Sequence, residues 1–182
     1  RPPRSTLFPY TTLFRSYLMS SQEIRTHISS IINCYICNIG RASNMFWLTF
    51  STSSQEIDAN KHEIAIHVQS TWRIVRERKI IIASSDFYSP CTSLKNQNNF
   101  KWDVQGNNLF DEKSKLWLND NSPIFVKEYK LNKFGDLKII FSNQDSLEVF
   151  IDSSDNTECW RLIGPFLGEK HLVLTGLGFA LE

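Results

Sequence analysis

The side chains best equipped for chemistry in this chain are His67, Arg73 and Arg161. An imidazole titrates near neutrality and can act as a general base, while guanidinium groups hold carboxylates or phosphates through paired N–H donors. In an extended segment His67, Gln69 and Arg73 fall on one face,. Six residues of strand separate His67 from Arg73 by about 20 Å, so a shared small-anion or hydrolytic site needs Arg161 from a neighbouring strand. The competing expectation is structural. His67 then bonds a cross-strand neighbour, and each arginine pairs inside the fold with an acid such as Asp86, Asp103 or Asp111, because a partly buried guanidinium needs a counter-charge.

Other constellations are weaker. Cys34 and Cys37 form a CxxC, a spacing used by zinc and redox sites, but it falls in an expected strand, where residues three apart point to opposite faces,. A second CxxC does not follow. His62 and His67, five apart, likewise face opposite sides of their strand. Asp111 and Glu112 have no His, Ser or Lys at motif spacing and suit the positive end of a helix dipole. Phosphate-binding glycine loops, GxSxG, HExxH and EF-hand patterns do not occur in the sequence,. We therefore expect no catalytic set, no metal site and no cofactor, and lean away from an enzyme.

The elements that must position these groups centre on residues 62–86, HEIAIHVQSTWRIVRERKIIIASSD. Ile64, Ile66, Val68, Trp72 and Ile74 alternate with polar residues, which predicts one long strand with a buried face. KIIIA, after the charged RERK, predicts a neighbouring strand covered on both sides, so the pair reads as a hairpin at the centre of a sheet. Ser20 and Glu23 have capping-box spacing before Ile24, Ile28, Ile31 and Ile32, predicting a helix over 21–32. CYICNI (34–39) and NMFWLTF (44–50) form a hairpin around a turn at Gly40–Ser43. Residues 51–61 read as a loop, and FYSPCTSLKNQNNF (87–100) as a long surface connection. Asn108 caps a second helix, with Leu109, Phe110, Leu116 and Trp117 as its buried stripe. Segments 124–131, 136–141 and 147–151 form an antiparallel meander, followed by strands at 159–166 and 171–176. Trp72 and Trp160 are expected in the core.

Residues 1–16, RPPRSTLFPYTTLFRS, fit none of this. They back-translate, codon by codon, into a string that looks like a sequencing-adapter oligonucleotide, and we read them as an artefactual tail. Residues 17–182 are then a single globular domain, of a size that buries a substantial core,. Without Arg1, Arg4 and Arg15 the 20 basic residues become 17 against 19 acidic, and the net charge of +1 becomes −2. A near-neutral domain lacks the basic footprint of a nucleic-acid binder, and no run approaches the ~18 apolar residues of a membrane span. With no signal peptide in view, the expected location is the cytoplasm. The cysteines (Cys34, Cys37, Cys91 and Cys159) are too scattered for a disulfide scaffold,.

The blocks IGRASNMFWLTF (39–50), IHVQSTWRI (66–74), SSDFYSP (84–90), WDVQGNNLFDEK (102–113), GDLKIIFSN (135–143), LEVFIDSS (147–154) and CWRL (159–162) resemble a bacterial protein family with no assigned function. Relatives favour a cysteine where Ser70 stands. The resemblance implies a bacterial protein and transfers no activity.

Together these readings predict an α+β fold: one twisted, mainly antiparallel sheet with two short helices on one face, or alternatively a small sandwich or half-open barrel. The expected function is a non-enzymatic, immunity-like interaction domain whose partner is another protein, with no nucleic acid or membrane. Deleting residues 1–16 should leave the thermal midpoint within about one degree of the full chain, because a segment with no buried contacts adds nothing to unfolding free energy. Differential scanning fluorimetry of the two chains checks this.

Overall fold

The computed structural model describes residues 19–52, 64–94, 100–120 and 123–182. The adapter-like tail, His62 and most of the 51–61 loop lie outside them, as do residues 95–99 of the long connection. Two helices, α1 (Ser21–Ser29) and α2 (Leu109–Asp120), accompany eleven strands among the described residues: β1 (Tyr35–Ala42), β2 (Met45–Ser51), β3 (Ile64–Val68), β4 (Thr71–Arg76), β5 (Lys79–Ala83), β6 (Val126–Leu131), β7 (Leu137–Phe141), β8 (Ser146–Phe150), β9 (Glu158–Ile163), β10 (Leu172–Thr175) and β11 (Gly178–Leu181). The fold is α+β, and its strands pair antiparallel throughout.

The strands form two sheets where one was expected, ordered β1-β2-β3-β9-β10-β11 and β5-β4-β8-β7-β6. The reason is local. The strand expected to run unbroken from Ile64 to Ile74 stops after Val68, and the backbone N–H groups of Gln69 and Ser70 both donate to the Cys159 carbonyl, at 2.8 and 3.1 Å. β3 stays in the first sheet while β4 starts the second. The alternation nonetheless survives the break, for Ile64, Ile66, Val68, Trp72 and Ile74 are all buried. They join side chains of both sheets in one core.

β4 and β5 do pair as a hairpin, but at the edge of the second sheet. KIIIA is therefore not covered on both faces: Ile82 is buried while Ile80 is 57% exposed. On the far side the two sheets touch, because Val126 N–H donates to Cys34 O (2.8 Å) and Ile36 N–H to Ile124 O (2.9 Å), beside an isolated bridge between Tyr35 and Phe125.

The helices also differ from a pair lying on one face of a single sheet, since α2 touches both sheets. In α1, Ser20 Oγ accepts from Glu23 N–H while the Glu23 carboxylate accepts from Ser20 N–H, the reciprocal cap expected from the sequence,. Its Ile24 and Ile28 enter the core, His27 stacks on Phe166 after β9, and the Arg25 carbonyl accepts from Tyr129 of β6. The helix ends at Ser29, and Ile31 and Ile32 follow in turns. α2 contacts β1 of one sheet and β5 of the other. Asn108 Oδ1 caps it by accepting from Asp111 N–H at 2.9 Å. Phe110 and Trp117 are buried as expected, but Leu116 is exposed.

The β1–β2 turn falls at Ser43–Asn44, with Ser43 at φ 55°, and not at Gly40. Gly40 sits within β1 opposite Trp47, where an added Cβ would meet the indole at 2.5 Å. Its small size answers to that ring. The 124–151 meander forms as expected, whereas β11 carries no strong strand signal of its own and is built by pairing with β10.

Trp72 stacks on Phe46 at 4.0 Å between ring centres, and Trp160 Nε1–H donates to Gly135 O at 3.1 Å. Replacement of either tryptophan by Ala should cost about 3–5 kcal/mol of unfolding free energy, read from urea titrations, since each removes a fully buried indole from a core that cannot collapse around the space.

Candidate functional site

The expected site residues divide between the sheets. His67 on β3 lies directly across from Arg161 on β9, while Arg73 lies on β4 of the other sheet. The three do not converge.

Around the first pair is a half-buried polar cluster. Arg161 Nε donates to Glu158 Oε1 at 2.7 Å, its second arm closes on the other oxygen of the same carboxylate, and Nη1 lies 3.0 Å from His171 Nδ1. Trp47 flanks His67, with ring centres 6.4 Å apart. Burial and the nearby Arg161 and His171 push the His67 pKa below its ordinary value, against the opposing pull of Glu158. Burial alone would raise the Glu158 carboxyl, but hydrogen bonds from Arg161 and Gln69 hold it below the usual carboxylate range. The Glu158 hydrogen bonds raise Arg161 in turn. A neutral imidazole beside an already neutralised guanidinium suits a satisfied network better than capture of an external anion.

Arg73 is internally paired as well. Its Nε donates to Glu148 Oε2 at 2.7 Å, and Lys138 Nζ donates to the other oxygen of Glu148 at 2.9 Å. The sequence foresaw internal acids but not these ones. Asp86 instead holds Lys113 at 3.0 Å, Asp103 is exposed, and Asp111 takes both arms of the buried Arg41 at 2.8 and 2.9 Å. Asp111 is thus more than a dipole partner for α2. Asp145, also missed, accepts from Arg76, Trp117 Nε1 and Asn143 in a fully buried position. These deep charges have no one-dimensional signature, because the charged partners Arg41 and Arg76 lie 70 and 69 residues from Asp111 and Asp145.

The cysteines of the CxxC do not meet. Cys34 Sγ donates to the Ser30 carbonyl, and Cys37 Sγ to the Thr49 carbonyl across a bulge in β1. Burial raises the Cys34 and Cys159 thiols, which disfavours the reactive thiolate,. Among the described residues no group of three or more potential ligands is arranged to hold a metal ion.

The surface feature that stands out is the face of the five-stranded sheet bearing Arg73. The Lys138–Glu148–Arg73 bridge crosses it, the Arg73 guanidinium lies 5.0 Å above the Phe150 ring, and Val75, Ile80 and Ile140 flank the bridge. Two shallow hollows of about 270 and 290 Å³ open on this face. A larger cleft of about 560 Å³ opens at its β4 end, lined in part by Ser70, Trp72, Ile80, Tyr88 and Phe150. No helix among the described residues is long and apolar enough to cross a membrane.

No family model, curated protein or solved structure matches this chain.

The lowered His67 pKa fixes a sign. An unfolded histidine titrates near about 6.5, so between that value and the lower folded one the unfolded chain binds more protons and stability rises with pH. The contribution is fully present above about pH 6.5 and is lost as pH falls through the folded value. Glu158 acts in the same direction only below the ordinary carboxylate range. Thermal melts from pH 7.5 to 5 should therefore show a smaller fall in midpoint for His67→Gln than for the wild type.

Proposed function

We propose that this chain is a non-enzymatic bacterial interaction domain of the immunity kind, which acts in the cytoplasm by masking the surface of a partner protein with the Arg73 face of its five-stranded sheet. The observation that carries the reading is the Lys138–Glu148–Arg73 bridge, with Arg73 over Phe150 amid Val75, Ile80 and Ile140. Arginine with aromatic and aliphatic neighbours is the composition that dominates binding energy at protein interfaces. One glutamate shared by two cations leaves a positive surplus, which Arg78 and Lys79 increase against Glu77 in the adjoining hollow. The complementary partner surface is acidic. The small-anion alternative draws less support, since Arg73 and Arg161 each already bind a glutamate and stand on different sheets.

The test uses the tagged chain as bait in bacterial extract, followed by reconstitution with the purified, identified partner. A 1:1 complex should form with the wild type and weaken at least about 100-fold, roughly 2.7 kcal/mol, for Val75→Asp/Lys138→Glu, a variant expected to fold because both side chains are partly exposed,. An interface insensitive to the double variant would overturn the reading. So would a phosphate- or carboxylate-induced rise in thermal midpoint that disappears in His67→Gln.

A further inference from the structure

Arg73 and Asp152 both line the 560 Å³ cleft at the β4 end of the second sheet, and neither is fully engaged. Glu148 takes only the Nε of Arg73, and among the described residues the two Nη arms of that guanidinium hold no hydrogen bond. Asp152 accepts from the backbone N–H and hydroxyl of Thr71 at 2.9 and 2.6 Å, both through Oδ2, which leaves Oδ1 open among the described residues. We infer that the cleft is a binding site for a free α-amino acid with an aromatic or large apolar side chain, its carboxylate on the Nη arms of Arg73 and its ammonium on Asp152 Oδ1.

Spacing, charge and shape agree on this class. Thr71 and Arg73 share the face of β4 opposite the buried Trp72, two residues or about 7 Å apart along the strand, and Asp152 is tied to Thr71,. A carboxylate and an ammonium carried by one carbon, with a hydrogen bond of about 2.9 Å at either end, bridge a gap of that order. In an internal peptide segment the same two groups are spent as uncharged amides. No other charged residue lines the cleft among the described residues, so a lone anion would gain Arg73 but face Asp152, and a lone cation the reverse,. Phe150, 5.0 Å beneath the Arg73 guanidinium, joins Tyr88 and Ile80 in an apolar seat for the side chain. Tyr88 and Ile80 are more than half exposed, as a rim open to an entering ligand requires. The cavity is of the size that small-molecule sites occupy, about 300–1,000 Å³.

This site stands apart from the protein-binding reading, because it leaves the Arg73 Nε on Glu148 and its test contains no partner protein. L-Phenylalanine is titrated into the full chain by isothermal titration calorimetry. Three comparison ligands each lack one feature: 3-phenylpropanoate the ammonium, 2-phenylethylammonium the carboxylate, and L-alanine the ring. L-Phenylalanine should bind 1:1, and each of the others at least about 10-fold more weakly, the worth of a charge-assisted hydrogen bond or of a ring removed from water. Arg73→Gln should erase the advantage of L-phenylalanine over 2-phenylethylammonium, and Asp152→Asn its advantage over 3-phenylpropanoate. Neither side chain is buried, and the analogue series on the wild type decides the matter should a variant fail to fold. No saturation by L-phenylalanine at about 20 mM would overturn the inference. Equal affinity for either singly charged analogue would do the same, as would an L-phenylalanine affinity unaltered in both variants. Tighter binding of 3-phenylpropanoate would also overturn it, leaving the Nη arms as a seat for carboxylates alone. Those outcomes leave the sheet-face reading standing, because that is scored on Val75 and Lys138 with a purified partner. Loss of the partner complex alone would in turn leave amino-acid binding measurable.

Discussion

One carbonyl decides how this chain folds. By accepting both the Gln69 and the Ser70 amide, the Cys159 oxygen ends β3 and frees β4 to turn into a second sheet. The two residues spent on the crossing preserve the parity of the strand, so the apolar series from Ile64 to Ile74 faces a single interior throughout. A crossing of one residue would have turned Trp72 and Ile74 outward. The same crossing places Ser70, just beyond β3, in a bend between the two sheets, where its buried hydroxyl has no hydrogen-bond partner among the described residues.

With the sheets divided, something must hold their edges, and polar groups do so as much as apolar ones. α2 is pinned from opposite ends: Asp111 accepts Arg41 from β1 and the Gly106 amide, and Trp117 donates to Asp145 in the β7–β8 turn, which also binds Arg76 of β4. Buried pairs of this type contribute less to net stability than their geometry suggests, because both ions leave water, but a wrong docking of the helix would strand them unpaired. They fix where α2 sits. Phe110 then completes the aromatic group with Phe46, Trp72 and Phe87 at one end of the core.

What could be read from the sequence follows the range of the interaction. Period and caps are local, so the alternation at 64–74, the Ser20–Glu23 box, the Asn108 cap and the 124–151 meander were all legible. The assignment of strands to sheets was not, for it depends on a hydrogen bond from residues 69 and 70 to residue 159. The same limit explains KIIIA, whose continuous apolar run looks like an interior strand although β5 is an edge. The sequence indicated that the arginines would bind acids, yet Asp86, Asp103 and Asp111 were the wrong ones; Glu148 is set opposite Arg73 by strand register, while Glu158 lies three residues before Arg161 on the same strand. Gly40 reads as a turn residue for the same reason, since only the register places the Trp47 indole over it.

The pairing of β3 with β9 has a consequence for the order in which the protein is assembled during synthesis. β1, β2 and β3 can form a meander as soon as they emerge, but the free side of β3 must wait for the segment around Arg161. β4 faces the same delay until β8 is made, although a shorter one. For most of translation the amino-terminal half thus presents open strand edges, and the chain gains its enclosed interior late, when β9 arrives and the Cys159 carbonyl clamps the crossing. Non-local pairing of this kind slows folding and lengthens the time during which such edges can join a neighbouring nascent chain. The crossing that defines the native interior is thus also among the late links to close, ahead only of β10 and β11.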